Sequence, residues 1–303
     1  MGTPHAAVPT LERILRDKHE VVAVWTQPDK PAGRGNKIAA SPVKECALQN
    51  NLTVHQPTKI KTAESFDLFQ SHKADVAVVV AYGRILPETF LQAFSRGAIN
   101  VHFSLLPKYR GAAPVNWAIA GGETKTGVTT MQMDAGLDTG GILLQRETEI
   151  GEGETAIELM ERLAYSGADL LSETLAMFDE LVAQAQDDAQ ATFAPIMKKE
   201  DGLIDWNSSA TEIANRIRGF QPFPTSHTKY QDKKLTIWKA KPTVNEYQTA
   251  DNGQILEAKG DKLFVACGNQ TVLQIEELQL EGKRRMSVKD FLNGVKISGA
   301  RLG

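Results

Sequence analysis

The chain has 303 residues, 42% hydrophobic and 23% charged, the make-up of a globular protein of two domains. It holds no run of about 18 apolar residues and opens without a charged-then-apolar leader, which argues against a transmembrane helix, a membrane role and a signal peptide. Its two cysteines, Cys46 and Cys267, are too few for a disulfide framework or a thiolate metal cage, so a reducing, cytoplasmic setting is expected. The formal net charge of −3 is unevenly divided, with −8 over residues 1–205 and +5 over residues 206–303. A basic tail section on an acidic body suggests a polyanionic partner.

In chain order, Leu11–Arg16 reads as an amphipathic helix and Val21–Trp25 as a short buried strand, so the fold opens on a loop and helix. Thr26–Lys44 reads as a long loop, because three prolines and two glycines oppose regular structure over most of it. It carries Lys30, Arg34, Lys37 and Lys44 against Asp29, and Arg34 is flanked by Gly33 and Gly35, which would let its guanidinium approach a phosphate. A helix is predicted near 43–50. The nearly continuous apolar run 74–81 reads as a strand buried on both faces of a parallel sheet. It ends at Tyr82-Gly83-Arg84, and ligands of open α/β sheets sit at strand carboxyl ends.

The stretch from Ala98 to Pro114 starts as a strand and then turns sharply at Pro107 and Gly111. Alternation puts Asn100 and His102 on one face, about 6–7 Å apart, and Ile99, Val101 and Phe103 on the other. An amide N–H can meet an oxyanion, and an imidazole, with an ordinary pKa of ~6.5, can move a proton near neutrality. That pair suits acyl-type transfer, although a strand end with two surface polar residues is an equally ordinary reading. A helix from Pro114 ends at Gly121-Gly122. Gly127–Met133 is a strand, Asp134–Gly141 a glycine-rich turn containing Asp138, and Ile142–Thr148 another strand. Residues 154–184 read as helix, and Gln184–Ala191, polar and apolar-poor, as a linker. After Pro195 a small α+β section opens: a helix over 211–218, a rigid turn at 219–225, and short strands at 235–241, 253–258, 262–266 and 272–280 that suggest a compact barrel. Gly-x-Ser-x-Gly, His-Glu-x-x-His and Walker motifs are missing.

Asn100-Val101-His102, Ser104-Leu105-Leu106-Pro107, Arg110-Gly111 and Asp138-Thr139-Gly140 together resemble the folate-dependent formyltransferases. The resemblance implies an α/β fold: a Rossmann-like formyltransferase domain with a mostly parallel sheet over residues 1–190, a linker at 191–202, and an OB-like β-barrel over 203–303. It implies Asn100, His102 and Asp138 as the catalytic set, with Asp138 orienting His102. Ser104, Leu105, Leu106 and Pro107 would cradle the folate, with Tyr82 and Gly83 lining the same site. The co-substrate would be 10-formyltetrahydrofolate and the acceptor the α-amine of methionine on initiator transfer RNA. No metal is required and no obligate protein partner is implied.

The loop at 26–44 resembles the insertion with which members acting on transfer RNA hold its acceptor end, through Lys30, Arg34 and Lys37. Arg216, Arg218, Lys283, Arg284 and Arg285 would form a basic face on the second domain. The family begins one strand earlier, ahead of a Gly-Thr-Pro like Gly2-Thr3-Pro4, so the true start is expected upstream. Two alternatives stay open. One is an enzyme for a small amine, or a formylfolate hydrolase, on the same scaffold; the other is a folate- or RNA-binding protein without catalysis.

Overall fold

The computed structural model describes residues 1–32, 37–244, 250–297 and 299–303. In chain order the elements are α1 (Val8–Arg16), β1 (Val24–Trp25), β2 (Lys30–Ala32), β3 (Lys37–Ala39), α2 (Pro42–Gln49), β4 (Val54–His55), α3 (Ala63–Ser71), β5 (Ala77–Val79), α4 (Glu88–Leu91), β6 (Ala98–His102), β7 (Arg110–Gly111), α5 (Pro114–Ala120), β8 (Lys125–Gln132), β9 (Ile142–Glu149) and α6 (Ala156–Ala176). They continue with β10 (Phe193–Ala194), α7 (Ala210–Gly219), β11 (Ser226–Tyr230), β12 (Lys233–Thr243), β13 (Ile255–Lys259), β14 (Lys262–Cys267), β15 (Thr271–Leu280), β16 (Met286–Ser287) and α8 (Val288–Gly294). Two units emerge. One holds Met1–Pro114, Lys125–Glu149 and Met160–Ala194; the other holds Val115–Thr124, Ile150–Leu159 and Pro195–Gly303.

The first unit is built on the sheet β5-β6-β8-β9. β5 and β6 run parallel, with Val79 opposite Asn100, whereas β6–β8 and β8–β9 are antiparallel. The sheet is therefore mixed: it is parallel at β5–β6 and, through the Gly2–Val80 bridge, on towards β1 and β4, and antiparallel where β8 and β9 join. The cause is visible in β9, where exposed residues recur at every second position from Gln145 on. A strand with one wet face suits an antiparallel edge and not the doubly covered interior of a parallel sheet. β6, by contrast, is buried along its whole length. α6 comes close to it at Gly167, where a Cβ would lie 2.7 Å from Val101 Cγ1.

A parallel pair, β1 and β4, stands apart from this sheet, and Met1–Gly2 bridges the two. Gly2 N–H donates to Trp25 O at 3.0 Å, Val80 N–H to Met1 O at 2.9 Å, and the Met1 amino group to Val78 O at 2.6 Å. Beside this bridge lies a cavity of about 330 Å³, lined among others by Leu11, Val22, Val24, Val76, Val78 and Val80. The loop expected over 26–44 contains a small hairpin, with Lys30 opposite Ala39 and Ala32 opposite Lys37. Pro31 is accommodated because a two-stranded ribbon is all edge.

Against Trp25 pack Phe69, Phe90 and two imidazoles, His55 and His72, whose ring centroids are 5.0 Å apart. The Trp25 indole N–H donates to His72 Nε2 at 3.2 Å, so that nitrogen carries no proton. Burial lowers the pKa of both rings, and the neighbouring His55 lowers that of His72 further. The folded state thus prefers them neutral. Their contribution to stability is present above the unfolded value of ~6.5 and is lost as pH falls through the folded values. Thermal melts should show Tm declining below pH 6.5, and His55→Phe should flatten that decline.

The helix predicted over 154–184 ends at Ala176. Further along, Gln184 exchanges two 2.8 Å backbone hydrogen bonds with Ile142, at the start of β9. Periodicity does not register that pairing, because it is tertiary.

The second unit is an antiparallel sheet in the order β11-β12-β15-β14-β13, with β16 on β15. Ile213 and Ile217 of α7 pack on Leu235, Ile237, Leu273 and Ile275. Ser209 caps α7 by accepting from Glu212 N–H while the Glu212 carboxylate accepts from Ser209 N–H. Among the described residues no ladder joins β11 to β13, so a closed barrel is not found. β12 shifts register at Ile237/Lys239 and again at Lys239/Ala240, which bends the strand.

Candidate active site

β6 delivers Asn100 and His102 to the edge where the parallel neighbour β5 also ends, so Tyr82-Gly83 follows at the same end of the sheet. Both side chains are buried, with Asn100 9% and His102 5% exposed. His102 Nε2 lies 2.9 Å from Tyr109 O. A carbonyl oxygen can only accept, so Nε2 carries the hydrogen and, in the neutral ring, Nδ1 keeps its lone pair. Nδ1 faces Asp138 Oδ2 at 3.7 Å. That is too long for a hydrogen bond and short enough for a strong charge interaction in a buried place.

Asp138 sits in the left-handed region at φ 55°, which aspartate tolerates better than most residues. Its Oδ2 also accepts from Gly111 N–H at 2.8 Å. Gly111 has φ 123°, and a Cβ there would meet Ala194 O at 2.6 Å. The Gln186 amide donates to Asp138 O at 2.8 Å and to Gly140 O at 2.7 Å. The structure therefore brings His102 and Asp138 together, with Asn100 two residues back on the same buried strand.

The loop after His102 is held by its neighbours on the sheet. Thr129, opposite His102, donates its hydroxyl to Ser104 O at 2.6 Å and accepts from Leu106 N–H at 3.2 Å. Gln145 donates to Leu106 O at 2.9 Å. Ser104 is buried and its hydroxyl donates to Lys108 O at 2.6 Å, and Leu106 is buried as well. These two residues shape the loop, while the half-buried Leu105 and Pro107 offer apolar surface. Across the edge, Tyr82 is buried in the cluster with Trp25 and Phe69, and among the described residues its hydroxyl has no hydrogen-bond partner. Gly83 has φ 77°, and the Gln27 amide donates to the carbonyls of Tyr82 and Gly83.

The predicted cations have different settings. Lys30 Nζ donates to Gln27 Oε1 at 2.7 Å, Lys37 lies in β3, and Arg34 is outside the described residues. Arg216 and Arg218, expected on the basic face of the second domain, lie in the last turn of α7, and both are half-buried. Arg216 donates to Asp201 O and stacks 4.8 Å from the Phe220 ring centroid. Arg218 donates to Asn215 Oδ1 and Glu154 O, and burial lowers its pKa. Arg285 pairs with Glu277 at 2.6 Å and lies over Trp238. Lys283 and Arg284 are exposed.

Sequence reasoning missed Thr129, Gln145 and Gln186, and read Arg110 only as part of a motif. Gln186 lies in a polar stretch with no period, which carries no signal of its role. Among the described residues, no group of three or more His, Cys, Asp or Glu could hold a metal ion, and no helix is long and apolar enough to cross a membrane.

Fold and site define a class, the formyl transferases. Residues 1–175 match the family model described as formyl transferase, and residues 196–296 match that of the formyl transferase C-terminal domain. A methionyl-tRNA formyltransferase of Solibacter usitatus is 50% identical over 300 residues, covering 98% of this chain and 95% of that protein. One from Alkaliphilus oremlandii is 49% identical over 296 residues, covering 97% and 95%. The chain belongs to the methionyl-tRNA formyltransferase family. Among solved structures, an N-formyltransferase from Helicobacter canadensis, in complex with folinic acid and dTDP-3-aminofucose, is 20% identical with a TM-score of 0.67, covering 90% of this chain and 96% of that one. At that identity it speaks for the fold alone.

Proposed function

We infer that the chain transfers the formyl group of 10-formyltetrahydrofolate to the α-amine of methionyl initiator transfer RNA, a step of translation initiation in the cytoplasm. The names of the close relatives support the acceptor, and one observation carries the chemistry: Asn100 and His102 leave the same buried strand, and His102 Nδ1 faces Asp138 at 3.7 Å. As the amine adds to the formyl carbon, the carbonyl oxygen gains negative charge. The Asn100 amide donates to that oxygen, an interaction worth roughly 10²–10³ in rate. His102 Nδ1, with its lone pair, takes the proton the attacking nitrogen must lose. The proton then sits beside the Asp138 carboxylate, which stabilises it, and passes to N10 of the folate as the tetrahedral species collapses, breaking the formyl C–N10 bond and releasing tetrahydrofolate and the formylated amine. General acid–base help of this kind contributes about 10²–10⁴.

Leu105, Pro107, Tyr82 and Gly83 form the folate side of the site in this reading, with Ser104 and Leu106 holding the loop. No metal is needed, and no protein partner is invoked. Residues 1–190 act as the catalytic domain, 191–202 as the linker and 203–303 as an OB-like transfer-RNA-binding domain. Lys30, Arg34 and Lys37 take the acceptor end, and exposed Lys283 and Arg284 contact phosphates, with Arg216, Arg218 and Arg285 shaping that surface.

The test is acceptor choice. Formyl-labelled folate is incubated with methionyl initiator transfer RNA, with methionyl elongator transfer RNA, with an amino-sugar nucleotide and with water alone. Label should move to the initiator species; transfer to the sugar, or release as formate, would overturn the reading. Lys283→Gln with Arg284→Gln should lower the salt slope of transfer-RNA binding by roughly 2, and an unchanged slope removes them from the interface.

A further inference from the structure

We propose that Gln186 is a positioning residue that sets the Asp138 carboxylate against the His102 ring by clamping the two loops that carry the site. This rests on the formyl-transfer reading above and adds to it a residue from a stretch that sequence marks only as polar linker.

The geometry is specific. The Gln186 side chain is a single planar amide used at both ends. Its nitrogen donates to Asp138 O at 2.8 Å and Gly140 O at 2.7 Å, on either side of Thr139. Its oxygen accepts from Arg110 Nε at 3.0 Å and from Arg110 Nη2 at 2.8 Å. Arg110 belongs to the loop whose Tyr109 carbonyl holds His102 Nε2–H. One amide therefore ties the support of the imidazole to the turn that bears the carboxylate. Each of its four hydrogen bonds has a backbone carbonyl or a guanidinium as partner, and the 4% exposed Arg110 gives the clamp a buried, charged anchor.

The chain around Gln186 is pinned as well. Gln184 pairs with Ile142, and Phe193–Ala194 pairs in parallel with Arg110–Gly111. Arg110 N–H donates to Thr192 O at 2.8 Å, and Tyr109 N–H to Thr192 Oγ1 at 2.9 Å. Asp188 Oδ1 accepts from Arg110 Nη2 at 2.7 Å but is 82% exposed, so the better shielded partner of Arg110 is the half-buried Gln186. The strap from 184 to 194 thus crosses both loops, and Gln186 is its contact with Asp138. A looser clamp would let the 3.7 Å gap between carboxylate and ring vary without emptying the folate side of the site.

The experiment compares Gln186→Met, which keeps the length of the side chain and removes the amide, with Asp138→Asn and the double variant, in the full chain. Gln186→Met should lower kcat about 10–100-fold while folate Kd, measured by fluorescence titration, stays within threefold. In the Asp138→Asn background the further loss should be under threefold, because the residue acts through that carboxylate. The His102 ring signal, titrated by NMR without substrate, should move in the same direction in both single variants. Independent, multiplicative losses, an unmoved ring titration, or an unchanged kcat would overturn the proposal. If Gln186→Met fails to fold, Gln186→Glu serves: it retains the Arg110 pairing and loses both donations to the carbonyls, and the same three outcomes decide. Wild-type chain that moves no formyl group to methionyl transfer RNA would sink the underlying reading instead, and the NMR arm still reports on the clamp.

Discussion

His102→Ala should lower kcat for formyl transfer by about 10³-fold with little change in folate or transfer-RNA affinity, within the range of a lost general base. The ring does two things that alanine cannot. Its Nε2–H fills the Tyr109 carbonyl at 2.9 Å, and its Nδ1 presents a lone pair next to Asp138. Removing the ring takes away that half-buried hydrogen bond, a cost of about 1 kcal/mol that will show as a lower Tm. That cost is separable from the kinetic one. His102→Gln offers a donor that could satisfy Tyr109 O but has no titratable nitrogen, so it should recover Tm and not kcat. A His102→Gln enzyme with near-normal turnover would remove the ring from the chemistry. Because Asp138 acts on the ring, Asp138→Asn should cost less than His102→Ala, and the two losses should combine to less than their product.

The second large effect lies in the backbone that carries Asp138. Gly140→Ala should destabilise the chain by about 3 kcal/mol or more, lowering Tm by roughly 6–12 °C. A Cβ at Gly140 would stand 1.8 Å from the Gln132 carbonyl oxygen and 2.9 Å from its carbon. Neither can yield cheaply, since Gln132 N–H donates to Gly141 O at 2.8 Å and Gln132 pairs with Ile99 of β6. Relief would have to come from the turn, which moves Asp138, so activity should fall beyond the loss of folded protein. Gly153→Ala is the control: its φ is 76°, but nothing lies within 4 Å of the added carbon. It should show only the left-handed backbone penalty of about 1–2 kcal/mol. Equal Tm shifts for the two variants would mean that the contact at Gln132 does not govern the turn.

The centre of the site was legible because its signals are local. Asn100 and His102 are two apart on a strand, and period-2 alternation alone pairs them. The apolar run 74–81 signals a strand, which forms over Ala77–Val79, and the glycine turn after Gly127–Met133 is equally plain. What escaped is what depends on distant chain. The sheet turned out mixed because β8 and β9 form a hairpin with a wet face, and the apolar pattern of residues 127–133 does not reveal the strand's direction. Helix α6 stops at Ala176 where helical spacing runs on, and the chain beyond it pairs at Gln184 with Ile142. Gln186 could not be found from its neighbours, since a glutamine among Asp, Gln and Ala is what a solvated linker also contains. Nor does charge in a sequence say what a guanidinium meets: Arg216 and Arg218 donate to the Asp201 and Glu154 carbonyls.

The most direct measurement is single-turnover formyl transfer to methionyl initiator transfer RNA by Asn100→Ala, with folate Kd taken on the same sample. The account predicts a chemical step at least 100-fold slower than wild type and a Kd within threefold of it. A step within threefold of wild type would contradict the claim that this buried amide receives the charge of the forming oxyanion.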